Sequence, residues 1–228
     1  MRLFKLLFLF YFFSVFALSA KIIPVPFPAK VQTGDLIFVN SEGGELGRAI
    51  IEVTKAQFVG GPDLNHVGLL EVRSPREIYI YEARPKVGTV RTPYVDFVKR
   101  LQSQKSSIEI KDRMIIGRIR SEYRGIFIRA AGYAKGELGL SYNDSFSQEN
   151  KGHYCSEWIQ TLSWRGNGKK FLWKWHKMFF GKPGTQGRKL IQKYYEKIRQ
   201  PIPDGELGVS PLSLFMEGKG RIFDVAKW

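Results

Sequence analysis

Cysteine and histidine are the scarcest reactive residues in this sequence. Cys155 is the single cysteine among 228 residues, so the chain cannot form an internal disulfide. The lone thiol is either a buried, inert side chain or a group kept for chemistry, and the cysteine count alone does not choose. The three histidines, His66, His153 and His176, are scattered and match no metal-ligand spacing. We therefore expect no metal ion and no other cofactor.

Long apolar runs are confined to the N-terminus. Arg2 and Lys5 precede an apolar run over Leu6 to Leu18, and small residues follow as far as Ala20. This layout is typical of a secretory signal peptide over residues 1–20. The alternative is an uncleaved membrane anchor, although a spanning helix needs roughly 20 apolar residues. We expect an exported protein that is periplasmic or secreted after cleavage.

Acidic residues are few beside the basic ones. The chain has 21 Asp and Glu against 36 Lys and Arg, and its formal net charge is +15. The segment from Arg165 to Arg199 has 11 basic residues and one acid, Glu196. It is either a solvated basic face or a contact surface for anionic envelope material such as lipid headgroups or wall polymers. An exported protein rarely meets nucleic acid, so no nucleic-acid partner is expected.

The remaining chain is predicted to form one monomeric domain over residues 33–228, after an extended connector over 21–32 that contains three prolines. Its apolar patterns predict strands over 36–39, 66–72, 77–84 and 114–120, and helices over 41–54, over 121–135 and from 154 onward. The segment 171–180 is rich in Trp, Phe and Lys. We interpret it as a helix that covers the core while its lysines extend to solvent. The alternative is an amphipathic patch that lies at a membrane interface.

Cys155 lies at a predicted junction between a loop and a helix. A helix N-terminus and a nearby imidazolium both favour the thiolate that hydrolysis requires. His153 is two residues away, where chain sterics oppose a good hydrogen bond, and His176 resembles a surface or interface residue. His66 begins a strand beside a glycine-rich loop and is therefore the best of the three candidate bases.

A base histidine also needs an orienting group and a site that stabilises the oxyanion. One register of the predicted hairpin places Glu82 on the His66 face, and a one-residue slip removes it. The alternative is an edge-strand glutamate that faces water. The backbone N–H of Cys155 and the hydroxyl of Tyr142 are candidate oxyanion donors.

Several short motifs in the chain occur in an order that resembles a known family. The motifs are Gly34-Asp35-Leu36-Ile37-Phe38, Arg48-Ala49-Ile50, Asn65-His66-Val67-Gly68-Leu69, Tyr81-Glu82-Ala83, Tyr142-Asn143 and Tyr154-Cys155-Ser156-Glu157-Trp158. In this order, over roughly Thr33 to Leu162, they resemble the YiiX/YebB group of NlpC-type cysteine hydrolases, the circularly permuted branch of the papain-like fold. Asn65, Asn143 and Trp158 depart from the residues that are usual in the group.

The resemblance implies an α+β fold in which a small β-barrel or sheet packs on the helix that carries the cysteine. It implies a catalytic triad of Cys155, His66 and Glu82, with Tyr142 and the Cys155 N–H at the oxyanion. The expected enzyme is an exported cysteine hydrolase of the peptidase or amidase type that acts on cell-wall peptide or a similar amide through a thioester. A lipid-directed amidase, esterase or acyltransferase is one alternative, and a non-catalytic envelope-binding module is another. The expected partner is an envelope substrate containing an amide or ester.

Overall fold

The computed structural model describes residues 31–41 and 44–226. The predicted signal peptide and all but the last two residues of the predicted connector lie outside this part of the chain. None of the helices in the described part is long and apolar enough to span a bilayer.

A six-stranded sheet forms the centre of the fold. Its spatial order is β4-β3-β2-β1-β5-β8, and every neighbouring pair is antiparallel. Among the described strands β4 and β8 are the two edges, so the sheet is open and the barrel alternative is not observed. The strands are β1 (Leu36–Val39), β2 (His66–Ser74), β3 (Glu77–Arg84), β4 (Gly88–Pro93), β5 (Met114–Ile119) and β8 (Phe223–Val225).

Six α-helices pack around the sheet, which gives the expected α+β class. They are α1 (Gly44–Gln57), α2 (Tyr94–Gln102), α3 (Ser121–Gly136), α4 (Cys155–Gly166), α5 (Gln186–Ile198) and α6 (Pro211–Gly218). A short 3₁₀ helix spans Ile110–Arg113, and a two-stranded ribbon joins β6 (His176–Lys177) to β7 (Leu207–Gly208). Strands β1 and β3 have the predicted bounds. No element was predicted for the stretch that forms β4 and α2.

Side-chain alternation along the strands builds a core on each face of the sheet. Phe38 and Leu69 belong to the larger core, which contains residues of α1, α3, α4 and α6. Leu70 and Ile80 point to the opposite face, where Phe97 and other residues of α2 cover them. Because side chains alternate with a period of two, His66 and Glu82 point to the α2 face.

The Gly34-Asp35 motif has a structural role. Gly34 has a φ of +99°, a left-handed backbone conformation that glycine adopts without strain. Asp35 is fully buried, and its carboxylate accepts hydrogen bonds from Arg118 Nε at 2.8 Å and from the Ile119 N–H at 3.2 Å. The motif therefore joins the start of β1 to the end of β5.

The helix predicted over residues 171–180 is not formed. Apart from the two residues of β6, the segment is irregular, although Trp173 and Phe180 are buried as a core-covering segment requires. Its polar groups bond to other elements: the Gln160 side chain donates to the Trp173 carbonyl at 3.0 Å, and Trp173 Nε1 donates to the Leu214 carbonyl at 2.9 Å. These tertiary contacts replace the local hydrogen bonds that a helix would have made.

Candidate active site

Cys155 is the first residue of α4 and is almost completely buried. The Glu157 carboxylate turns back to accept a hydrogen bond from the Tyr154 N–H at 3.2 Å, which caps the first turn of the helix. The neighbouring Ser156 hydroxyl donates to the Val209 carbonyl at 2.8 Å. The thiol therefore sits at the positive end of a helix whose first turn is fixed from two sides.

Burial also changes the protonation of the capping carboxylate. It raises the pKa of Glu157 to about 7, although hydrogen bonds from the Tyr154 N–H and the Asn143 side chain act in the opposite direction. The group that caps α4 can therefore exchange a proton near neutral pH.

His66 and Glu82 meet on the α2 face of the sheet. Strands β2 and β3 pair with Leu69 opposite Tyr81, so Glu82 falls two residues from His66 in register and on the same face. His66 Nε2 and Glu82 Oε2 are 2.7 Å apart. The Cys155 side chain is a second hydrogen-bonding neighbour of the imidazole. The structure thus brings the three residues together.

Glu82 is held by more groups than the sequence indicates. Its side chain has no exposed surface and accepts hydrogen bonds from Thr92 Oγ1 at 2.6 Å and from both Arg100 Nη atoms at 2.7 and 2.9 Å. Burial by itself would raise the pKa of this carboxyl. The hydrogen bonds and charges of His66 and Arg100 outweigh that effect and lower the pKa to about 2. Glu82 is therefore a fixed anion at every physiological pH.

The same contacts determine the charge of His66. Burial lowers its pKa, but the hydrogen bonds and charges of Cys155 and Glu82 outweigh it and raise the pKa to about 9. The imidazole is therefore protonated at neutral pH and places a positive charge next to the sulfur. That arrangement suits a thiolate nucleophile.

Two cavities meet at Cys155. The first is lined mainly by apolar side chains from α1, α5 and the segments near them, among them Val53, Phe58, Phe180 and Ile191. We call it the apolar cavity. The second has a larger share of polar side chains, which include His66 and Arg100, beside apolar ones such as Leu46. We call it the polar cavity. The residues that line both are Ile50, Asn65, Tyr142 and Cys155.

Tyr142 lies at this junction. Its ring packs edge-on against Phe146, with the centroids 6.3 Å apart. Burial and the nearby charge of Cys155 raise the pKa of its hydroxyl well above the usual range. The hydroxyl therefore keeps its proton and can act as a hydrogen-bond donor beside the sulfur.

Asn65 adds a group that the sequence marked only as a departure from the family pattern. Its Oδ1 accepts hydrogen bonds from the backbone N–H and the hydroxyl of Ser41, both at 2.8 Å. Because the Ser41 N–H can only donate, these bonds fix the orientation of the amide. Asn65 Nδ2 is buried and has no hydrogen-bond partner within the described part of the chain. Its position at the junction makes it a further donor available to a substrate.

The other two histidines are placed differently. His153 Nδ1 is buried 3.9 Å from the Glu157 carboxylate and forms no hydrogen bond with any described residue. His176 is half-buried, pairs with Glu217 and packs edge-on against Phe58 with ring centroids 5.4 Å apart. It lines the apolar cavity rather than standing as a surface residue.

The chain matches the model of the permuted papain-like amidase enzymes, the YaeF/YiiX or C92 family, over residues 30–167. This chain belongs to that family. It is therefore a cysteine hydrolase of the amidase type, and the resemblance read from the motifs is confirmed.

Two further comparisons agree with this membership. The uncharacterized protein YiiX of Escherichia coli strain K12 is 28% identical over 198 residues, which cover 85% of this chain and 87% of YiiX. The crystal structure of the metalloprotein yiiX from Escherichia coli O157:H7 superposes with a TM-score of 0.63 at 24% identity and covers 86% of this chain and 98% of the other. At that identity the crystal structure supports the fold alone.

That neighbour is described as a metalloprotein. In this chain, within residues 31–41 and 44–226, no three His, Cys, Asp or Glu side chains are grouped so that they could bind a metal ion.

Sequence reasoning missed the groups that hold Glu82. Thr92 and Arg100 lie in the stretch for which no element was predicted. A signal was present, because Phe97 and Leu101 recur at helical spacing with Arg100 beside them. That pattern does not indicate that the helix packs on the sheet next to Glu82.

Proposed function

We propose that Cys155, His66 and Glu82 form the catalytic triad with which this amidase cleaves its substrate. The observation that carries the proposal is the position of the His66 imidazole, which bonds to Glu82 through Nε2 at 2.7 Å and has Cys155 as its second hydrogen-bonding neighbour. A nucleophile, a base and an orienting anion in this chain of contacts are what acyl transfer requires.

The reaction follows from these contacts. The Cys155 thiolate attacks the amide carbonyl carbon, and the carbonyl oxygen becomes an oxyanion stabilised by the Cys155 N–H and the Tyr142 hydroxyl. The C–N bond breaks, the amine leaves with the proton from His66, and a thioester remains. Water then loses a proton to His66 and attacks the thioester, which releases the carboxylic acid and restores the thiolate and imidazolium. Glu82 keeps the imidazole oriented throughout.

The apolar cavity favours one substrate class. Val53, Phe180 and Ile191 extend an apolar lining away from Cys155, so an apolar acyl group there would be removed from water. The substrate that fits best is an amide of an apolar acyl group, which is the lipid-directed alternative. Cell-wall peptide is the second candidate, because its polar backbone would leave this lining without apolar contacts.

Export is part of the proposal. The basic start, the apolar run and the small residues before Lys21 support a signal peptide, and the envelope is the expected location of an amide substrate. The basic segment from Arg165 to Arg199 supports contact with an anionic envelope surface. In the structure it includes α5, where Lys189, Lys193 and Lys197 are exposed along one stripe.

Catalysis by the triad is tested with two matched histidine variants. We expect His66→Gln to lower kcat/KM on long-chain N-acyl amides by at least about 10³-fold, since nucleophile and base act as a unit. His176→Gln also removes a histidine paired with a glutamate and lining the apolar cavity. We expect it to change kcat/KM less than about tenfold.

Cys155→Ala should abolish turnover while the circular dichroism spectrum stays that of the wild type. Product analysis with N-acyl amides and with muropeptides distinguishes the two substrate classes. Retention of full activity by Cys155→Ala, or equal losses in the two histidine variants, would contradict the triad.

A further inference from the structure

Arg84 is the one arginine of the polar cavity that has no anionic partner among the described residues. It is the last residue of β3 and lies on the same face as Glu82, two positions away. Pairing with Gly88 of β4 fixes its backbone. Its half-buried side chain forms no hydrogen bond and no ion pair within residues 31–41 and 44–226.

Glu82 cannot serve as that partner. Both carboxylate oxygens are occupied, one by Thr92 and Arg100 and the other by His66 and Arg100. Burial and the positive charge of Arg100 lower the pKa of the Arg84 guanidinium, while the charge of Glu82 acts the other way. No ion pair in the described part of the chain therefore offsets the free-energy cost of holding the Arg84 guanidinium beside Arg100.

The charge of the polar cavity follows from these groups. It is lined by two guanidiniums, Arg84 and Arg100, and by the His66 imidazolium. The Glu82 carboxylate bonds both His66 and Arg100. Arg84 is therefore the positive charge of the cavity that has no counterion among the described residues. The planar fork of donors on a guanidinium matches an oxyanion group such as a carboxylate or a phosphate.

We propose that the polar cavity binds an anionic group of the substrate through Arg84, so that the enzyme selects amides that carry a carboxylate or phosphate on the side of the amide bond away from the apolar acyl group. This inference rests on the proposed amidase function and implies that the substrate has one apolar end and one charged end. The apolar acyl group occupies the apolar cavity, the scissile bond lies at Cys155, and the charged amine portion occupies the polar cavity.

Alkylation of Cys155 tests this binding site without a natural substrate. The thiolate displaces iodide from anionic iodoacetate or from neutral iodoacetamide, which are nearly the same size, and the sulfur–carbon bond forms as the carbon–iodine bond breaks. Relative to free cysteine, we expect the full-length protein to favour iodoacetate by about tenfold or more, as for a hydrogen bond between charged groups. Arg84→Gln should remove the preference, measured as the ratio of the iodoacetate rate to the iodoacetamide rate.

Two other variants control for charge and for geometry. Lys99→Gln removes the same charge from an exposed position of α2 outside the cavity and should keep the preference. Arg84→Lys should keep part of it. An Arg84→Gln protein with the wild-type preference, or a loss of equal size in Lys99→Gln, would overturn the proposal.

Competition and turnover complete the experiment. Protection of Cys155 by N-acetylglycine but not by propyl phosphate assigns the site to carboxylates, and the reverse result assigns it to phosphates. In turnover, N-acyl glycine should be preferred over N-acyl glycinamide in the wild type and not in Arg84→Gln. Absence of turnover of both N-acyl substrates while the alkylation preference depends on Arg84 would reject the proposed N-acyl amide substrate but keep the anion site.

Discussion

At the residue scale, the ionised state of the site depends on the contacts of His66. An isolated histidine is largely neutral at pH 7.5, but contacts with Cys155 and Glu82 overcome burial and raise the pKa of His66 from 6.5 to about 9. The imidazolium is therefore available over the whole neutral range. It provides both the charge beside the thiolate and the proton for the leaving amine.

These contacts predict the alkaline limit of activity. We expect kcat/KM to fall as the pH rises through about 9, where His66 loses its proton. In Glu82→Gln one of the groups that raise this pKa has lost its charge, so the alkaline limit should move to lower pH. The measurement is the pH profile of kcat/KM from pH 5 to 10.5 for both proteins. Identical alkaline limits would show that Glu82 does not control the protonation of His66.

The same shifts predict a pH range for stability. The pKa of His66 is raised, so its contribution is complete below about 6.5 and is lost as the pH rises through about 9. The pKa of Glu82 is lowered, so its contribution is complete above about 4.5 and is lost as the pH falls towards about 2. In urea unfolding of the wild type, the contribution of His66 and Glu82 to the free energy of unfolding should therefore be largest between about pH 4.5 and about pH 6.5. In Glu82→Gln the free energy of unfolding should depend less on pH.

At the element scale, α2 packs on the face of the sheet to which His66 and Glu82 point, and it supports both residues. Arg100 bonds Glu82 through both Nη atoms, and Phe97 stacks near His66 with ring centroids 6.5 Å apart. The helix therefore fixes the anion that in turn orients the base. Arg100 acts on the base through Glu82, so we regard it as a positioning residue.

Loss of the Arg100 side chain should destabilise the protein and disturb the base. We expect Arg100→Gln to lower the free energy of unfolding by about 2–4 kcal/mol, because a buried carboxylate loses a charged partner that is itself only partly exposed. The kcat/KM profile should also shift along the pH axis. Lys99→Gln, on the exposed side of the same helix, should change stability by less than about 0.5 kcal/mol. Chemical denaturation of both variants checks the difference, and equal losses would contradict this role of α2.

The elements differ in how far the sequence predicted them. The bounds of β1 and β3 follow from short apolar runs that end at turns, and the structure has the same bounds. The segment 171–180 has the composition of an amphipathic helix, yet its backbone bonds to the side chains of Gln160 in α4 and Glu217 in α6. Composition reports which side chains become buried, and the competition between local and distant hydrogen bonds decides the backbone conformation.

At the scale of the whole molecule, positive charge is concentrated outside the catalytic core. The formal charge is +15, and Lys189, Lys193 and Lys197 of α5 form an exposed stripe opposite the buried Ile191. Helix α5 also contributes Ile191 to the apolar cavity. A surface that attracts anionic lipid would thus hold the protein close to the source of its acyl substrate.

This arrangement predicts binding to anionic vesicles. Changing Lys189, Lys193 and Lys197 to Gln should weaken binding to phosphatidylglycerol-rich vesicles by about 10- to 100-fold at low salt, since each lysine near such a surface contributes about 1 kcal/mol. The control changes Lys99, Lys105 and Lys111 to Gln, which removes the same charge from exposed positions outside the stripe. Vesicle cosedimentation at two salt concentrations is the measurement. Equal weakening in both triple variants would favour a general solvated charge over a docking face.

The sequence by itself determined the chemistry that is available. One cysteine at the start of a helix, one histidine at the start of a strand and a set of ordered motifs were enough to identify the family, because these features are local. Only the tertiary structure showed that Arg100 and Thr92 hold Glu82, that Asn65 and Tyr142 lie where two cavities meet, and that Arg84 has no anionic partner among the described residues. Those facts depend on how β3, β4 and α2 pack, and packing between distant segments leaves no periodic pattern in the sequence.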